Sequence, residues 1–198
     1  MIYFDNAATT LTKPPEVIRA VIEAMENFGN PSRGAHEASL KAGRKVEECR
    51  DRLAGLFNCP DPARIAFTKN VTEALNIALA SIAGHIVSSQ AEHNSVLRPL
   101  HRRGNFSLVE VDEKGCYRAE DISRAIKADT RAVVLAQASN QTGNVAPIAE
   151  VGEICRNRKL IFIVDAAQSA GILKIDQQTL NIDALCFTGH KSLYGPQG

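Results

Sequence analysis

The sequence predicts an α/β protein whose mainly parallel sheet is covered by helices on both faces. Short β-rich runs recur at residues 65–68, 86–89, 106–111, 132–136, 160–164 and 184–188. These runs are apolar at successive positions, and stretches of helical period separate most of them. Strands that are apolar on both faces and alternate with helices are typical of a buried parallel sheet.

Two helices are predicted before the first strand. Proline fits the first turn of a helix, so Pro14 and Pro15 indicate where the first helix begins, and the Gly29-Asn30-Pro31 run ends it. Its apolar residues share one face at helical spacing: Val17, Ile18, Val21, Ile22 and Met25. The second helix is predicted over residues 37–57, with a buried stripe of Ala42, Val46, Cys49, Leu53 and Leu56.

From residue 65 onward, strands and helices alternate. Helical patterns are predicted over residues 72–83, 95–103, 119–127 and 148–158, each between two of the β-rich runs. Ligands of such sheets bind beyond the carboxyl ends of the strands. Most polar residues of chemical interest in this sequence follow directly after a predicted strand, so we expect a ligand site at that edge.

Composition excludes several classes of function. The chain has 198 residues, 44% hydrophobic and 23% charged, with a net charge of +1, which is typical of one large globular domain. No basic surplus indicates nucleic-acid binding, no apolar run is long enough for a membrane span, and the first residues do not resemble a signal peptide. Five scattered cysteines without a CxxC pair indicate free thiols in a reducing cytoplasm, and no metal site is predicted.

A lysine and an aspartate follow two of the apolar runs. Asp165 ends the most strongly apolar run, and Lys191 comes shortly after the run at 184–188. A pyridoxal phosphate (PLP) site needs a lysine that holds the cofactor aldehyde as a Schiff base and an acid that keeps the pyridine nitrogen protonated. A structural salt bridge is the alternative for Asp165, but no lysine or arginine is close to it in sequence.

Asn70, Val71 and Thr72 stand where a β-rich run gives way to an apolar helix. Free amides and a hydroxyl group at a helix start can bind phosphate. The alternative is that Asn70 or Thr72 only caps the helix. The stretch matches neither the Walker A pattern nor GxGxxG, so nucleotide binding is not favoured.

Other strand ends carry further polar candidates. His93 could stack on a cofactor ring and relay protons, although a structural histidine is the alternative. Asn140 could bond a phenolic oxygen, unless its loop is a plain Asn/Gly turn. Gln168 could bond the same ring oxygen, and Thr188 and His190 flank Lys191, where His190 could donate to a phosphate.

In the order of these motifs the chain resembles the class V aminotransferase group of PLP enzymes, and it is most similar to the cysteine desulfurases and selenocysteine lyases. The resemblance covers the whole chain. It rests on these segments: Tyr3-Phe4-Asp5-Asn6-Ala7-Ala8-Thr9-Thr10, Gly29-Asn30-Pro31-Ser32-Arg33-Gly34-Ala35-His36, Phe67-Thr68-Lys69-Asn70-Val71-Thr72-Glu73-Ala74-Leu75-Asn76, Glu92-His93-Asn94-Ser95, Ser139-Asn140-Gln141-Thr142-Gly143, Asp165-Ala166-Ala167-Gln168 and Gly189-His190-Lys191.

The resemblance implies the roles of the site residues. Lys191 would carry the cofactor and act as the catalytic base, and His93 would stack on the ring as a second catalytic residue. Asp165 would hold the pyridine nitrogen, and Gln168 and Asn140 would bond the ring oxygen. Thr72, Thr188 and His190 would bind the phosphate, and Asn70 and Val71 would also belong to the cofactor-binding residues. His36 resembles a residue that reaches the site of the partner subunit, which implies a homodimer.

The resemblance also implies the PLP-dependent transferase fold of type I, with seven strands in the order 3-2-4-5-6-7-1. The run at 65–68 would be the first strand, next to a seventh strand that comes after Gly198. Residues 1–30 would form an N-terminal arm and helix, and residues 31–198 the PLP-binding large domain. The small C-terminal domain would be absent, so the chain is expected to be the first half of an enzyme and inactive alone.

The implied activity is the conversion of L-cysteine to L-alanine, with transfer of the sulfur to an enzyme cysteine and then to a sulfur-acceptor protein, as in iron-sulfur cluster assembly. In the family that cysteine and the arginine that binds the substrate carboxylate lie beyond the PLP lysine. Ser192 and Leu193 place two residues where many relatives have one, which suggests a distinct subgroup. The alternatives are a selenocysteine lyase, another class V aminotransferase or lyase, and a non-catalytic PLP-binding or partner-binding module that ends at Gly198.

Overall fold

The computed structural model describes residues 2–197, which contain helices, strands and one 3-10 turn. The helices are α1 (Pro15–Asn27), α2 (Glu37–Phe57), α3 (Val71–Ala80), α4 (Asn94–Arg103), α5 (Ala119–Ala125) and α6 (Ile148–Arg158). The strands are β1 (His85–Ser89), β2 (Phe106–Val109), β3 (Thr130–Ala136), β4 (Ile161–Asp165) and β5 (Ala184–Cys186). The 3-10 turn is Pro62–Arg64. Met1 and Gly198, the outer limits of the predicted arm and large domain, lie outside the described residues.

The five strands form one parallel sheet in the order β2-β1-β3-β4-β5. This confirms the predicted α/β class and the relative order of the second to sixth predicted strands. The register places Ala136, the last residue of β3, beside Asp165, the last residue of β4. Asp165 is in turn beside Cys186, the last residue of β5. The carboxyl ends of these strands therefore form one edge.

Residues 65–68, predicted to be the first strand beside a neighbour that comes after Gly198, form no strand within residues 2–197. This segment has no ladder partner among the described residues, and β5 is the edge of the described sheet on that side. A strand is stable only where a neighbour takes up its amides and carbonyls, so β propensity alone does not create one. Phe67 is half exposed in this extended segment.

Other predicted elements are present with shifted bounds. The run predicted to residue 111 ends at Val109, and the helix predicted to residue 83 ends at Ala80. The buried stripe predicted for α2 is partly wrong: Ala42 is buried, but Leu56 is 52% exposed. Phe57, the last residue of α2, takes the buried place, and its ring lies 4.7 Å from the ring of Phe187.

Helices cover both faces of the sheet, because strand side chains alternate between faces and both sets are apolar. One core packs α5, α6 and the end of α2 on the sheet residues Val87, Val133, Leu135, Phe162 and Val164. The other packs α3 and α4 on Ile86, Ala132, Val134, Ile163 and Cys186. The sheet is thereby a rigid platform, and its carboxyl edge carries the polar side chains described next.

Helix α1 lies apart from these two cores. None of its residues is buried, and Ile18, Ile22 and Met25 are half to largely exposed. The apolar face predicted for α1 is therefore present but uncovered in the described chain. Within residues 2–197 no helix is both long and apolar enough to cross a membrane.

Candidate active site

Asp165 ends β4 and lies at the carboxyl edge of the sheet, between the ends of β3 and β5. Its side chain is 4% exposed, and the amide of Ala167 donates to Oδ1 at 2.9 Å, which leaves Oδ2 for a ligand. Burial raises the pKa of Asp165, while that hydrogen bond and the charges of His93 and Lys191 oppose the rise. The structure therefore brings together the three residues on which the sequence prediction depends most.

Lys191 lies in the turn that follows β5 and is partly buried. Burial lowers the pKa of its amine, and the negative charge of Asp165 acts in the opposite direction. A lysine whose pKa is lowered has more of its amine in the neutral, nucleophilic form at neutral pH. This electrostatic setting suits both a covalent link to an aldehyde and the work of a general base.

His93 follows β1 and caps helix α4 with its ring. The amide of Ser95 donates to His93 Nδ1 at 3.1 Å, and Ser95 Oγ lies 2.6 Å from the same nitrogen. An amide can only donate, so in the neutral form of the ring Nδ1 is the acceptor and the proton is on Nε2. Ser95 is buried and thereby fixes both the rotation of the ring and its tautomer.

The start of helix α3 is a candidate phosphate site. Asn70 caps the helix, because its Oδ1 accepts from the amide of Glu73 at 3.0 Å. Its side chain thus has the capping role that the sequence analysis gave as the alternative to phosphate binding. The amides of Val71 and Thr72 have no acceptor within the helix. Helix α3 contacts β5, and buried Thr188 comes two residues after β5 ends.

An N-terminal arm formed by residues 3–13 packs on the lysine turn. Thr10 Oγ1 donates to the Lys191 carbonyl oxygen at 2.6 Å, and Thr9 Oγ1 and Lys13 Nζ donate to the His190 carbonyl oxygen at 3.2 and 3.0 Å. The sequence reasoning counted part of this arm as a family motif but gave it no role. Contacts between residues 181 positions apart have no local signal.

The remaining predicted residues are less directly placed. His190 Nδ1 lies 3.0 Å from Thr9 Oγ1, and burial with the nearby Lys191 and Lys13 charges lowers the pKa of His190. Gln168 Nε2 donates to the Ala7 carbonyl oxygen at 3.0 Å. Asn140 is exposed in the loop after β3.

His36 lies away from these residues, at the start of helix α2. Its Nε2 is 3.1 Å from Ser39 Oγ, and the histidine is exposed. The described chain does not bring His36 to Lys191, so its predicted reach into a partner's site stays a prediction.

Glu92 is a buried acid that the sequence reasoning missed. Its side chain is 5% exposed, Ser89 Oγ donates to Oε1 at 2.7 Å, and the Ala136 amide donates to Oε2 at 2.7 Å. Burial raises its pKa to about 8, and the negative charge of Asp165 adds to that rise. The sequence did carry a signal, since an acid soon after an apolar strand is the same pattern that indicated Asp165.

Glu92 also lines a cavity of about 30 Å³ together with Tyr117. The hydroxyl group of Tyr117 is buried and has no hydrogen-bond partner among the described residues. A cavity of this size with polar walls can hold a water molecule.

The donor set at this edge fits PLP. A buried carboxylate suits a protonated pyridine nitrogen, a lysine of lowered pKa suits the aldehyde, and the start of α3 with Thr188 suits the phosphate. No group of three or more acidic, cysteine or histidine side chains placed to hold a metal ion occurs within residues 2–197. Of the five free cysteines, Cys155 and Cys186 are buried and Cys116 is exposed.

Comparison with known proteins agrees with this donor set. The family model of class-V aminotransferases matches residues 2–198. The chain is 37% identical to a cysteine desulfurase IscS of Colwellia psychrerythraea and 36% identical to one of Neisseria meningitidis. Both alignments cover 100% of this chain but only 52% and 51% of the two relatives. The chain thus spans about half the length of the curated relatives it matches.

Two solved structures are similar to this chain over its whole length and are longer than it. The apo structure of a cysteine desulfurase from Thermococcus onnurineus is similar with a TM-score of 0.92 and 35% identity, over 100% of this chain and 52% of that one. The structure of SspA in complex with cysteine is similar with a TM-score of 0.92 and 30% identity, over 100% of this chain and 59% of that one.

Proposed function

Because the chain belongs to the class-V aminotransferase family, we propose that it is the PLP-binding part of a cysteine desulfurase that converts L-cysteine to L-alanine. The observation that carries the proposal is the buried carboxylate of Asp165, close enough to Lys191 and His93 for their charges to act on its pKa. Relatives named cysteine desulfurase support the reaction, and the complex of SspA with cysteine supports the substrate.

Bound PLP would supply an electron-withdrawing ring that makes a proton on the substrate carbon acidic. Asp165 would hold the proton on the pyridine nitrogen, which is possible because its carboxylate is fixed by the Ala167 amide and shielded from water. The amides of Val71 and Thr72, with the Thr188 hydroxyl group, would bind the phosphate. His93 would cover the ring and present its Nε2–H, since Ser95 holds Nδ1.

Lys191 would act as the base that removes the proton from the substrate carbon. Burial lowers the pKa of its amine, which increases the fraction of neutral amine, and a neutral amine can accept the proton from the substrate carbon. The hydrogen bond from Thr10 holds the backbone of Lys191 in place while its side chain moves. The thiolate that takes the sulfur would be a cysteine outside the five of this chain, and it would need a lowered pKa.

Several further features belong to the same proposal. Residues 1–30 would act as an arm and helix and residues 31–198 as the cofactor domain, in a cytoplasmic homodimer. His36 would reach the site of the second subunit, Gln168 and Asn140 would bond the ring oxygen, and His190 would donate to the phosphate. A sulfur-acceptor protein would receive the sulfur, as in iron-sulfur cluster assembly. The selenocysteine lyase, the other class V enzymes and the non-catalytic module are not favoured by the names of the relatives.

Product analysis tests the proposal. We expect the complete protein, incubated with L-cysteine and a thiol reductant, to release alanine and sulfide in equal amounts. Formation of a keto acid with transfer of the amino group would identify an aminotransferase instead. Turnover of L-selenocysteine without turnover of L-cysteine would identify a selenocysteine lyase. No turnover of either amino acid would favour the non-catalytic module.

A further inference from the structure

Glu92 is the most deeply buried acid that the proposed mechanism leaves unused. It lies between the end of β1 and helix α4, one residue before His93. With 5% of its surface exposed, its carboxyl group cannot be explained as a solvated surface charge. Such a group needs both oxygens satisfied by the protein, and the structure shows two donors for them.

The two donors come from different strands. Ser89, the last residue of β1, donates its hydroxyl proton to Oε1 at 2.7 Å. The amide of Ala136, the last residue of β3, donates to Oε2 at 2.7 Å. The side chain of Glu92 therefore links the C-terminal ends of the adjacent strands β1 and β3, at the point where the β1–α4 loop leaves the sheet.

The same strand end carries Asp165. Ala136 is the register partner of Asp165 in the β3–β4 ladder, and the next amide, that of Gln137, donates to the Asp165 carbonyl oxygen at 2.9 Å. A short chain of hydrogen bonds and peptide units thus runs from Glu92 to the backbone of Asp165. His93 follows Glu92 directly in the chain. The two residues proposed to contact the cofactor ring, His93 and Asp165, are therefore both linked to the hydrogen bonds of Glu92.

We propose that Glu92 is a positioning residue of the cofactor pocket, which fixes the His93 ring relative to Asp165 by holding the β1–α4 loop to the end of β3. The inference rests on the proposed PLP site and assigns Glu92 no contact with the cofactor. Ser95 fixes the rotation of the His93 ring, and Glu92 fixes the place of its backbone. Stacking needs both, because a displacement of a few tenths of an ångström loosens a site built to tolerances of about 0.5 Å.

The charge state of Glu92 agrees with this assignment. Burial and the neighbouring Asp165 raise its pKa to about 8, while the hydrogen bonds from Ser89 and Ala136 oppose the rise. Two buried carboxyl groups with different surroundings divide the charge between them. The charges of His93 and Lys191 favour the ionised form of Asp165, whereas the negative charge of Asp165 disfavours ionisation of Glu92.

A Glu92 that only stabilises the fold would make the same hydrogen bonds as a Glu92 that positions His93. The two roles differ in whether the effects of Glu92 and His93 substitutions on PLP binding depend on each other. The test is a double-mutant cycle on the complete protein, with Glu92→Ala, His93→Ala and both together, read as the dissociation constant of PLP from the apoprotein. Loss of ring stacking by His93→Ala is expected to weaken PLP binding roughly three- to tenfold. If Glu92 acts through His93, the double variant should bind PLP no more weakly than His93→Ala alone.

Two further variants make the result decisive. Glu92→Gln keeps one acceptor for the Ala136 amide and one polar partner for Ser89, so it should bind PLP within about twofold of the parent protein. Glu110→Gln, an exposed acid just beyond β2, is the matched control for loss of an acid at this edge and should change nothing. If Glu92→Ala does not fold, Glu92→Asp replaces it in the cycle, because its carboxyl group falls about 1.5 Å short of the two donors.

Each outcome decides between the two roles. Additive effects of the Glu92 and His93 substitutions on PLP binding would overturn the inference and leave Glu92 as a structural brace, as would a lower melting temperature with unchanged PLP binding in the Glu92 single variant. Failure of the parent protein itself to form a yellow adduct with PLP would overturn the proposed function, and with it the cofactor role of Glu92. A yellow parent protein with additive variants would overturn only the role of Glu92.

Discussion

The hydroxyl group of Thr10 donates a 2.6 Å hydrogen bond to the backbone carbonyl oxygen of Lys191, 181 residues later in the chain. Thr9 and Lys13 add hydrogen bonds to the carbonyl oxygen of His190. The peptide unit that carries the proposed cofactor lysine is therefore held by the N-terminal arm. This relationship gives the arm a task at the site even though none of its residues carries the chemistry.

Replacing Thr10 by valine tests that task, because valine has the same shape without the hydroxyl group. We expect Thr10→Val to lower the free energy of unfolding by about 1 kcal/mol and to slow turnover, since the Lys191 carbonyl loses a donor. Thr10→Ser, which keeps the hydroxyl group, serves as the control in thermal melting and steady-state kinetics. Equal behaviour of the valine and serine variants would show that the hydrogen bond has no part in placing Lys191.

Lys191 is predicted to be the residue that carries PLP. Lys191→Ala should remove the visible absorption band of the bound cofactor and its reduction by borohydride, because Lys191 is the lysine whose charge acts on Asp165. Lys174→Ala, at an exposed lysine after the turn that follows β4, is the control. A yellow, reducible Lys191→Ala protein would disprove the assignment.

Asp165→Asn tests the electrostatic role of the buried carboxylate. The amide side chain is similar in shape but cannot hold a proton on a pyridine nitrogen, so we expect PLP to stay bound while kcat falls about 10²- to 10³-fold, the usual cost of one charge-stabilising group. The measurement is kcat beside the PLP content of the purified variant. Near-normal turnover would mean that Asp165 is a structural carboxylate.

The five cysteines of this chain are predicted not to be the sulfur acceptor. Burial raises the pKa of Cys155 and Cys186 to about 12, so neither forms a thiolate near neutral pH. Mass spectrometry of the complete protein after turnover of L-cysteine should therefore find the persulfide on none of Cys49, Cys59, Cys116, Cys155 and Cys186. A persulfide on exposed Cys116, with loss of activity in Cys116→Ser, would contradict the prediction.

His85 gives a prediction about pH. Its buried ring bridges the start of three strands, with Nδ1 2.8 Å from Thr130 Oγ1 and Nε2 2.9 Å from Ser107 Oγ. Burial and the charge of Lys127 lower its pKa, while Asp129 opposes this. The unfolded chain then binds a proton at a higher pH than the folded one, so the free energy of unfolding falls as the pH drops below about 6.5.

His85→Gln should remove this part of the pH dependence, since glutamine keeps polar contacts but does not titrate. The measurement is urea unfolding of both proteins at pH 7 and at pH 5. The loss of stability between the two pH values should be smaller in the variant, and the comparison cancels contributions from groups such as Glu92 that titrate in both. An equal loss in the two proteins would show that His85 is not the group responsible.

Local sequence patterns were sufficient to predict most of the elements and the two central residues. Apolar runs and helical spacing depend on neighbours in the chain, so five of the six predicted strands are present and Asp165 falls at the end of β4. The acid and the lysine could be assigned to one edge because parallel strands end there together. The order of the strands came from the family resemblance, because periodicity carries no information on which strands become neighbours.

Only the tertiary structure decided features that depend on a distant partner. The segment 65–68 has the composition of a strand but no neighbour in the described sheet, so it stays unpaired. Glu92 is buried because the ends of β1 and β3 supply its donors, and the arm meets Lys191 because the fold returns the chain to its start. A hydrogen bond needs two groups within about 3 Å, and for residues far apart in sequence that distance is set by packing and not by any local pattern.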